Sequence, residues 1–241
     1  MAEMRPMPET LDAVTAAERV TDLFSRLHAT LDDWREAILA GADGAPTALD
    51  DRVAALVLPV LGADDPLLVG AGFIAAPGFT GGDGLHFAWW LGPLDENPVF
   101  GATTGPTRLD LSARSYAEYL RDFDALDWYR IPSTTHRTHI TGPYVDHLCA
   151  CDYIVTVTSP VERDGRMLGV VGLDVAVKRL ERELLPALLA ASEPLAVVNA
   201  AGRVMVSTDP GVVVGSVLDG SPGGVACPGT PFRVEPTRAG R

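Results

Sequence analysis

The stretch 151–175, CDYIVTVTSPVERDGRMLGVVGLDV, decides the fold. Two apolar runs, Cys151 to Glu162 and Arg166 to Val175, flank Arg163-Asp164-Gly165. An Asp-Gly pair between such runs marks a tight hairpin, because the turn needs left-handed backbone that Asp and Gly tolerate best. Val, Ile and Thr fill both runs, and β-branched side chains suit a pleated surface. The hairpin predicts an antiparallel sheet. Upstream, Leu67 to Ala75 and Leu85 to Leu91 have the same character and are joined by a glycine-rich stretch around Gly81, Gly82 and Gly84, which predicts a second antiparallel pair. Trp89 and Trp90 are consecutive in that pair, so one faces inward and the other outward, and the inward ring is a candidate to line a ligand pocket.

Helical periodicity surrounds this sheet. Glu9 to Leu39 predicts one long helix, with Pro8 before it and Gly41 after it. Its apolar residues Val20, Phe24, Leu27, Leu31, Trp34 and Ile38 alternate steps of four and three, the spacing of a coiled-coil seam. Two readings stay open: the stripe packs on the sheet, or it also makes a dimer. Ala48 to Leu61 predicts a second helix, Ser112 to Phe123 a third with Tyr116, Tyr119, Leu120 and Phe123 on one face, and Val177 to Ala191 a fourth interrupted by Pro186. Leu195 to Asn199 and Arg203 to Ser207 form a further hairpin around Ala200-Ala201-Gly202. From Gly220 onward glycine and proline occur without periodicity, the composition of a loosely ordered tail.

Composition narrows the function. With 241 residues, 47% of them hydrophobic and 21% charged, the chain can bury a real core. Against 32 acidic residues stand 19 basic ones, a formal charge of -13 that repels nucleic acid and anionic lipid and mildly favours cationic ligands. Met1 to Leu11 lacks the basic start and apolar centre of a secretory signal, and no apolar run is long enough to span a bilayer. The expected location is cytoplasmic, and three cysteines without a pairing pattern agree with a reducing compartment.

Chemistry concentrates between Asp127 and Asp174. Asp127-Trp128-Tyr129-Arg130, Gly142-Pro143-Tyr144 and the strand ending in Asp174 supply two adjacent rings, a third ring and a carboxylate. Ring faces and a carboxylate both attract positive charge, so together they read as a cage for a cationic group. Singly, each has a plainer account: Trp128 and Tyr129 as core aromatics and Asp174 as a helix cap. His147, Cys149 and Cys151 point one way if their segment is extended, and imidazole and thiolates are zinc ligands. Cys-x-Cys is not a common zinc spacing, so no metal and no cofactor are expected. The polar loop Ser133 to Thr141, with His136 and His139, has two readings, a lid whose hydroxyls meet a ligand or a plain solvent-exposed loop. No nucleophile elbow, phosphate-binding loop, zincin helix or dinucleotide fingerprint is present, which argues against an enzyme. The rival readings are an enzyme, either a metal-dependent hydrolase using His147, Cys149 and Cys151 or a cofactor-free one using the histidine loop, and a purely structural dimerisation module.

The aromatic and acidic block, following a long first helix, resembles the PAS-like, double Cache type of small-molecule sensor domain over about Leu67 to Leu184. The resemblance implies an α+β fold: a long N-terminal helix packed on a PAS-like antiparallel sheet, with a rudimentary second subdomain. It divides the chain into an N-terminal helical region at 1–62, a Cache-like ligand-binding domain at 63–191, a partial second-subdomain hairpin at 192–219 and a flexible tail at 220–241. In the amino-acid-sensing branch, an arginine two positions before a Trp-Tyr pair holds the ligand carboxylate, while tyrosines and a late aspartate hold the ammonium. Trp128-Tyr129, Tyr144 and Asp174 match the ammonium half. Leu126 stands where the arginine belongs, which favours an amine over an α-amino acid unless Arg121 or Arg130 takes that role. The candidate ligand-binding set is Asp127, Trp128, Tyr129, Arg130, Tyr144, Asp174 and Tyr116. The implied partners are a small amine or amino-acid-like ligand, a second copy through the N-terminal helix, and a regulator that reads occupancy; nucleic acid and membrane are not expected.

Overall fold

The computed structural model describes residues 8–41, 46–79, 86–93, 102–109, 122–146, 152–218 and 224–237. Its elements in chain order are helices α1 (Pro8–Leu39) and α2 (Pro46–Leu61); strands β1 (Leu68–Ala75), β2 (Phe87–Leu91) and β3 (Thr107–Arg108); a 3-10 turn (Phe123–Ala125); helix α3 (Asp127–Thr135); strands β4 (His139–Val145), β5 (Tyr153–Arg163) and β6 (Arg166–Ala176); helix α4 (Val177–Leu188); and strands β7 (Leu195–Asn199), β8 (Val204–Ser207), β9 (Val225–Ala226) and β10 (Phe232–Pro236). They form two compact units, 27–176 and 1–26 with 177–241. This division cuts differently from the four regions expected along the sequence.

In the 27–176 unit six strands pair in the order β3-β2-β1-β6-β5-β4, every neighbour antiparallel. The decisive hairpin forms as expected: Glu162 pairs with Met167, and Asp164 and Gly165 turn the chain with φ of 52° and 75°. Both faces of the central strands are buried, which is why β5 and β6 read as nearly continuous apolar runs. On one face lie Ile74, Phe87, Trp89, Leu91 and Val170. Alternation places Phe73, Val157, Val171 and Leu173 on the other, all fully buried. Helix α2 packs on β1 and β2, and the Arg163 guanidinium donates to the Leu39 carbonyl at the end of α1.

The whole seam stripe of α1 is buried within the chain: Val20, Phe24, Leu27, Leu31, Trp34 and Ile38 are at most 6% exposed. The stripe serves the protein's own core, so it offers no free surface to a second copy.

In the other unit the strands pair in the order β8-β7-β10-β9. The expected tail is corrected here: residues 232–236 pair in full register with β7, and Phe232 packs at a 45° tilt against Phe24 with centroids 5.1 Å apart. Apolar burial of Phe232 and Val234, two residues apart, is what draws this segment into the sheet. The second subdomain is thus a four-stranded sheet rather than a hairpin. Asp12 of α1 accepts hydrogen bonds from the Ser192 amide and hydroxyl at 2.8 and 2.7 Å, and these hold its carboxyl below the usual range.

Candidate functional site

A cavity of about 410 Å³ lies on the Trp89 face of the six-stranded sheet in the 27–176 unit. Strand alternation builds its wall: Ile74 from β1, Phe87 and Trp89 from β2, Ile154, Thr156 and Thr158 from β5, and Asp174 from β6 all point into it. Strand β4 supplies both Thr141 and Tyr144, three positions apart, because a register shift between them inserts an extra residue. Without that bulge they would face opposite sides. Asp146 follows β4, and Leu126, Asp127 and Trp128 close the cavity from the start of α3.

Helix α3 is held by a specific substitution of donors. Pro132 has no N–H, so the Trp128 carbonyl lacks its donor four residues on. The Thr158 hydroxyl, reaching across from β5, donates to that carbonyl at 2.6 Å. Ser133, Thr134 and Thr135 donate back to the carbonyls of Arg130 and Ile131. The expected polar loop at Ser133 to Thr141 is therefore corrected: it is the last turn of α3, a left-handed His136 at φ 58°, and the first residues of β4. His139 has its pKa lowered by burial, with Asp127 opposing and Arg130 adding to the shift.

The electrostatics centre on Asp174, which is 6% exposed. The Tyr144 phenol lies 2.7 Å from Thr156 Oγ1, which donates to Asp174 Oδ1 at 2.6 Å. Since Thr156 spends its single hydrogen on Asp174, the phenol donates into this chain. Burial pushes the Asp174 carboxyl up to about 8; Asp146 adds to the shift and the Thr156 hydrogen bond opposes it. No lysine, arginine or histidine lines the cavity among the described residues. Two further groups are unspent: Trp89 Nε1 and Thr141 Oγ1 are buried without a hydrogen-bond partner. An unpaired buried donor costs about 1–3 kcal/mol, so such groups are unusual in a finished core.

The structure brings Asp127, Trp128, Tyr144 and Asp174 to one cavity and leaves Tyr129 and Arg130 off it. Consecutive residues on a helix diverge by about 100°, so Trp128 and Tyr129 cannot share a wall once both lie in α3. Tyr129 packs edge-on against Phe123 at 4.7 Å, and burial, aided by Asp124, pushes its phenol up to about 12. Arg130 is exposed and pairs with Asp127 at 2.5 Å. Tyr116, Arg121, His147, Cys149 and Cys151 lie outside the described residues, as does nearly all of the expected helix Ser112 to Phe123. Among the described residues no group of His, Cys, Asp and Glu is placed to hold a metal ion. Trp89 is the inward ring of the Trp89–Trp90 pair and lines the cavity. Asp146, Thr141, Thr156 and Thr158 were not in the expected set; for Thr156 and Thr158 the signal was polar residues at alternate positions of an otherwise apolar strand.

A long first helix, a six-stranded antiparallel sheet and a cavity on one face of that sheet make up a Cache-type fold. Residues 87–182 match the family described as methyl-accepting chemotaxis protein-like, first PDC sensor domain. The fold is similar to the ligand-binding domain of the Pseudomonas fluorescens chemoreceptor CtaA in complex with L-valine, at 14% identity and TM-score 0.63, covering 97% of each chain. It is also similar to the ligand-binding domain of the Pseudomonas aeruginosa PAO1 amino acid chemoreceptor PctC in complex with GABA, at 15% identity and TM-score 0.61, covering 92% of this chain and 94% of that one. A third likeness, at 18% identity and TM-score 0.58, is to the extracellular domain of soHK1S-Z6, named as a histidine kinase; it covers 82% of this chain and 68% of that one. No curated protein matches the sequence.

The expected cytoplasmic location is corrected by these comparisons, since the structures of similar fold include the extracellular domain of soHK1S-Z6. No helix among the described residues is long and apolar enough to cross a membrane. That observation does not by itself place a chain inside the cell.

Proposed function

We propose that the 27–176 unit is a reversible sensor of a small organic molecule bearing a primary ammonium, an amine or an amino-acid-like compound, and not an enzyme. The observation that carries this reading is the Asp174 carboxyl, buried in the cavity wall with a second carboxyl group nearby and, among the described residues, no basic side chain lining the same space. A buried carboxyl without a cation stays protonated, and an ammonium is the partner that lets it ionise. Trp128 lends a ring to the same cavity, and a desolvated cation over such a face gains about 0.5–2 kcal/mol. Tyr144 acts through Thr156, orienting the Asp174 oxygen that the ammonium meets. Asp127 stands at the mouth, already paired with Arg130. The ligands named for CtaA and PctC, L-valine and GABA, both carry such an ammonium.

Leu126 lines the cavity where the resemblance calls for an arginine, which favours a ligand whose second polar group is neutral. A regulator that reads occupancy belongs to the same proposal. A thermal-shift screen against amines, amino acids and amine-free carboxylates tests it. Ligands that bind only the folded state raise the melting temperature by mass action. Shifts confined to compounds with a primary ammonium are expected, and shifts with amine-free carboxylates alone would overturn the reading.

A further inference from the structure

Trp89 is 4% exposed, its Nε1–H is without a partner, and its ring lines the cavity. What it faces is set by a residue with no side chain. Gly70 of β1 pairs with Asp174 of β6, and a Cβ placed on Gly70 would lie 3.0 Å from Trp89 Nε1 and 3.1 Å from Asp174 Oδ2. A buried donor and a buried acceptor thus flank one notch that any side chain at position 70 would fill. Gly172 supports the other end of the indole, since a Cβ there would stand 3.3 Å from Trp89 Cη2 and 2.9 Å from Thr158 Cγ2. At ordinary hydrogen-bond lengths of about 2.9 Å, two neighbouring polar groups of one ligand reach both sides of the notch.

We propose that Trp89 is a ligand-contacting residue that sets specificity: its Nε1–H takes an acceptor oxygen carried one or two carbons from the ammonium held by Asp174, and Gly70 keeps the notch between them open. The inference rests on the amine reading above and narrows it to amino alcohols, amino amides and amino acids over plain alkylamines. A plain amine fills the Asp174 side and leaves the indole N–H buried and unpaired. An oxygen at the right distance satisfies it, and no arginine is needed.

The probes are leucinol and 3-methylbutylamine, the same amine without the hydroxymethyl group, titrated calorimetrically into the wild type, Trp89→Phe and Gly70→Ala. One net hydrogen bond with relief of an unpaired donor amounts to about tenfold in affinity, so leucinol should bind the wild type about tenfold more tightly than 3-methylbutylamine. In Trp89→Phe the ratio should fall to near unity, and in Gly70→Ala the added methyl should abolish the same preference. Equal affinities in the wild type, or a preference retained in a folded Trp89→Phe or Gly70→Ala protein, would overturn the inference while leaving the amine reading standing. Failure of both amines to bind the wild type would remove the amine reading and this inference together. If Trp89→Phe does not fold, the wild-type ratio and Gly70→Ala decide.

Discussion

Asp174 couples the cavity to pH. Its carboxyl has an ordinary value of 3.8 and is pushed to about 8 in the fold, so between these values the folded state holds a proton that the unfolded state has lost. Its contribution to stability is present in full below pH 3.8 and is lost as pH rises toward about 8. Asp174→Asn, which keeps the shape without the titration, should therefore gain on the wild type across that window and run parallel to it outside. The upper limit is about 1.4 kcal/mol per pH unit. Urea unfolding of both proteins from pH 4 to 8 checks this, and parallel profiles would count against a buried, protonated carboxyl. Binding an ammonium should expel the same proton, so affinity should rise with pH up to about 8. Calorimetry near pH 6 in buffers of different ionisation enthalpy measures the release. Asp174 was legible in the sequence because it stands on an extended apolar strand with alternating faces, whereas Tyr144 came only from the resemblance, since a bulge in β4 aims it. Tyr129 was misread because its placement depends on helical geometry that began only at Asp127.

At the scale of elements, the segment from Asp127 to Val145 is where sequence patterns were weakest. Pro132 and the Ser133-Thr134-Thr135 run read as loop, since hydroxyls and proline compete with helix formation. In the structure the hydroxyls bond within the helix, and Thr158 replaces the missing N–H. That replacement depends on a strand residue 30 positions away from Trp128, which no local pattern records. The bulge in β4 that aims Tyr144 is equally non-local. The α3 account makes a coupled prediction. Thr158→Val should destabilise the unit by about 1–2 kcal/mol by leaving the Trp128 carbonyl unpaired. Pro132→Ala restores a backbone N–H there, so in that background the same change should be at least half compensated. A double-mutant cycle in urea measures the coupling, and strictly additive effects would argue against the donor exchange.

At the scale of the molecule, the α+β class, the long first helix and the antiparallel sheet followed from periodicity and one Asp-Gly turn. The last strands did not, because Phe232 to Pro236 is a short run whose partner, β7, lies more than thirty residues earlier. Native-state hydrogen exchange separates a paired strand from a loose tail. The amides of Val197 and Val234, paired across β7 and β10, should be protected about as well as those of β5 and β6, whereas a tail would exchange freely. The central claim is that the cavity bounded by Trp128, Tyr144 and Asp174 binds an ammonium through the Asp174 carboxylate. Removing one partner of a buried charged pair costs about 2–5 kcal/mol, which is at least tenfold in affinity. The decisive measurement is calorimetric titration of the best-binding amine into the wild type and Asp174→Asn near pH 8. At least a tenfold loss in the mutant is expected, and unchanged affinity in a folded Asp174→Asn protein would contradict the account.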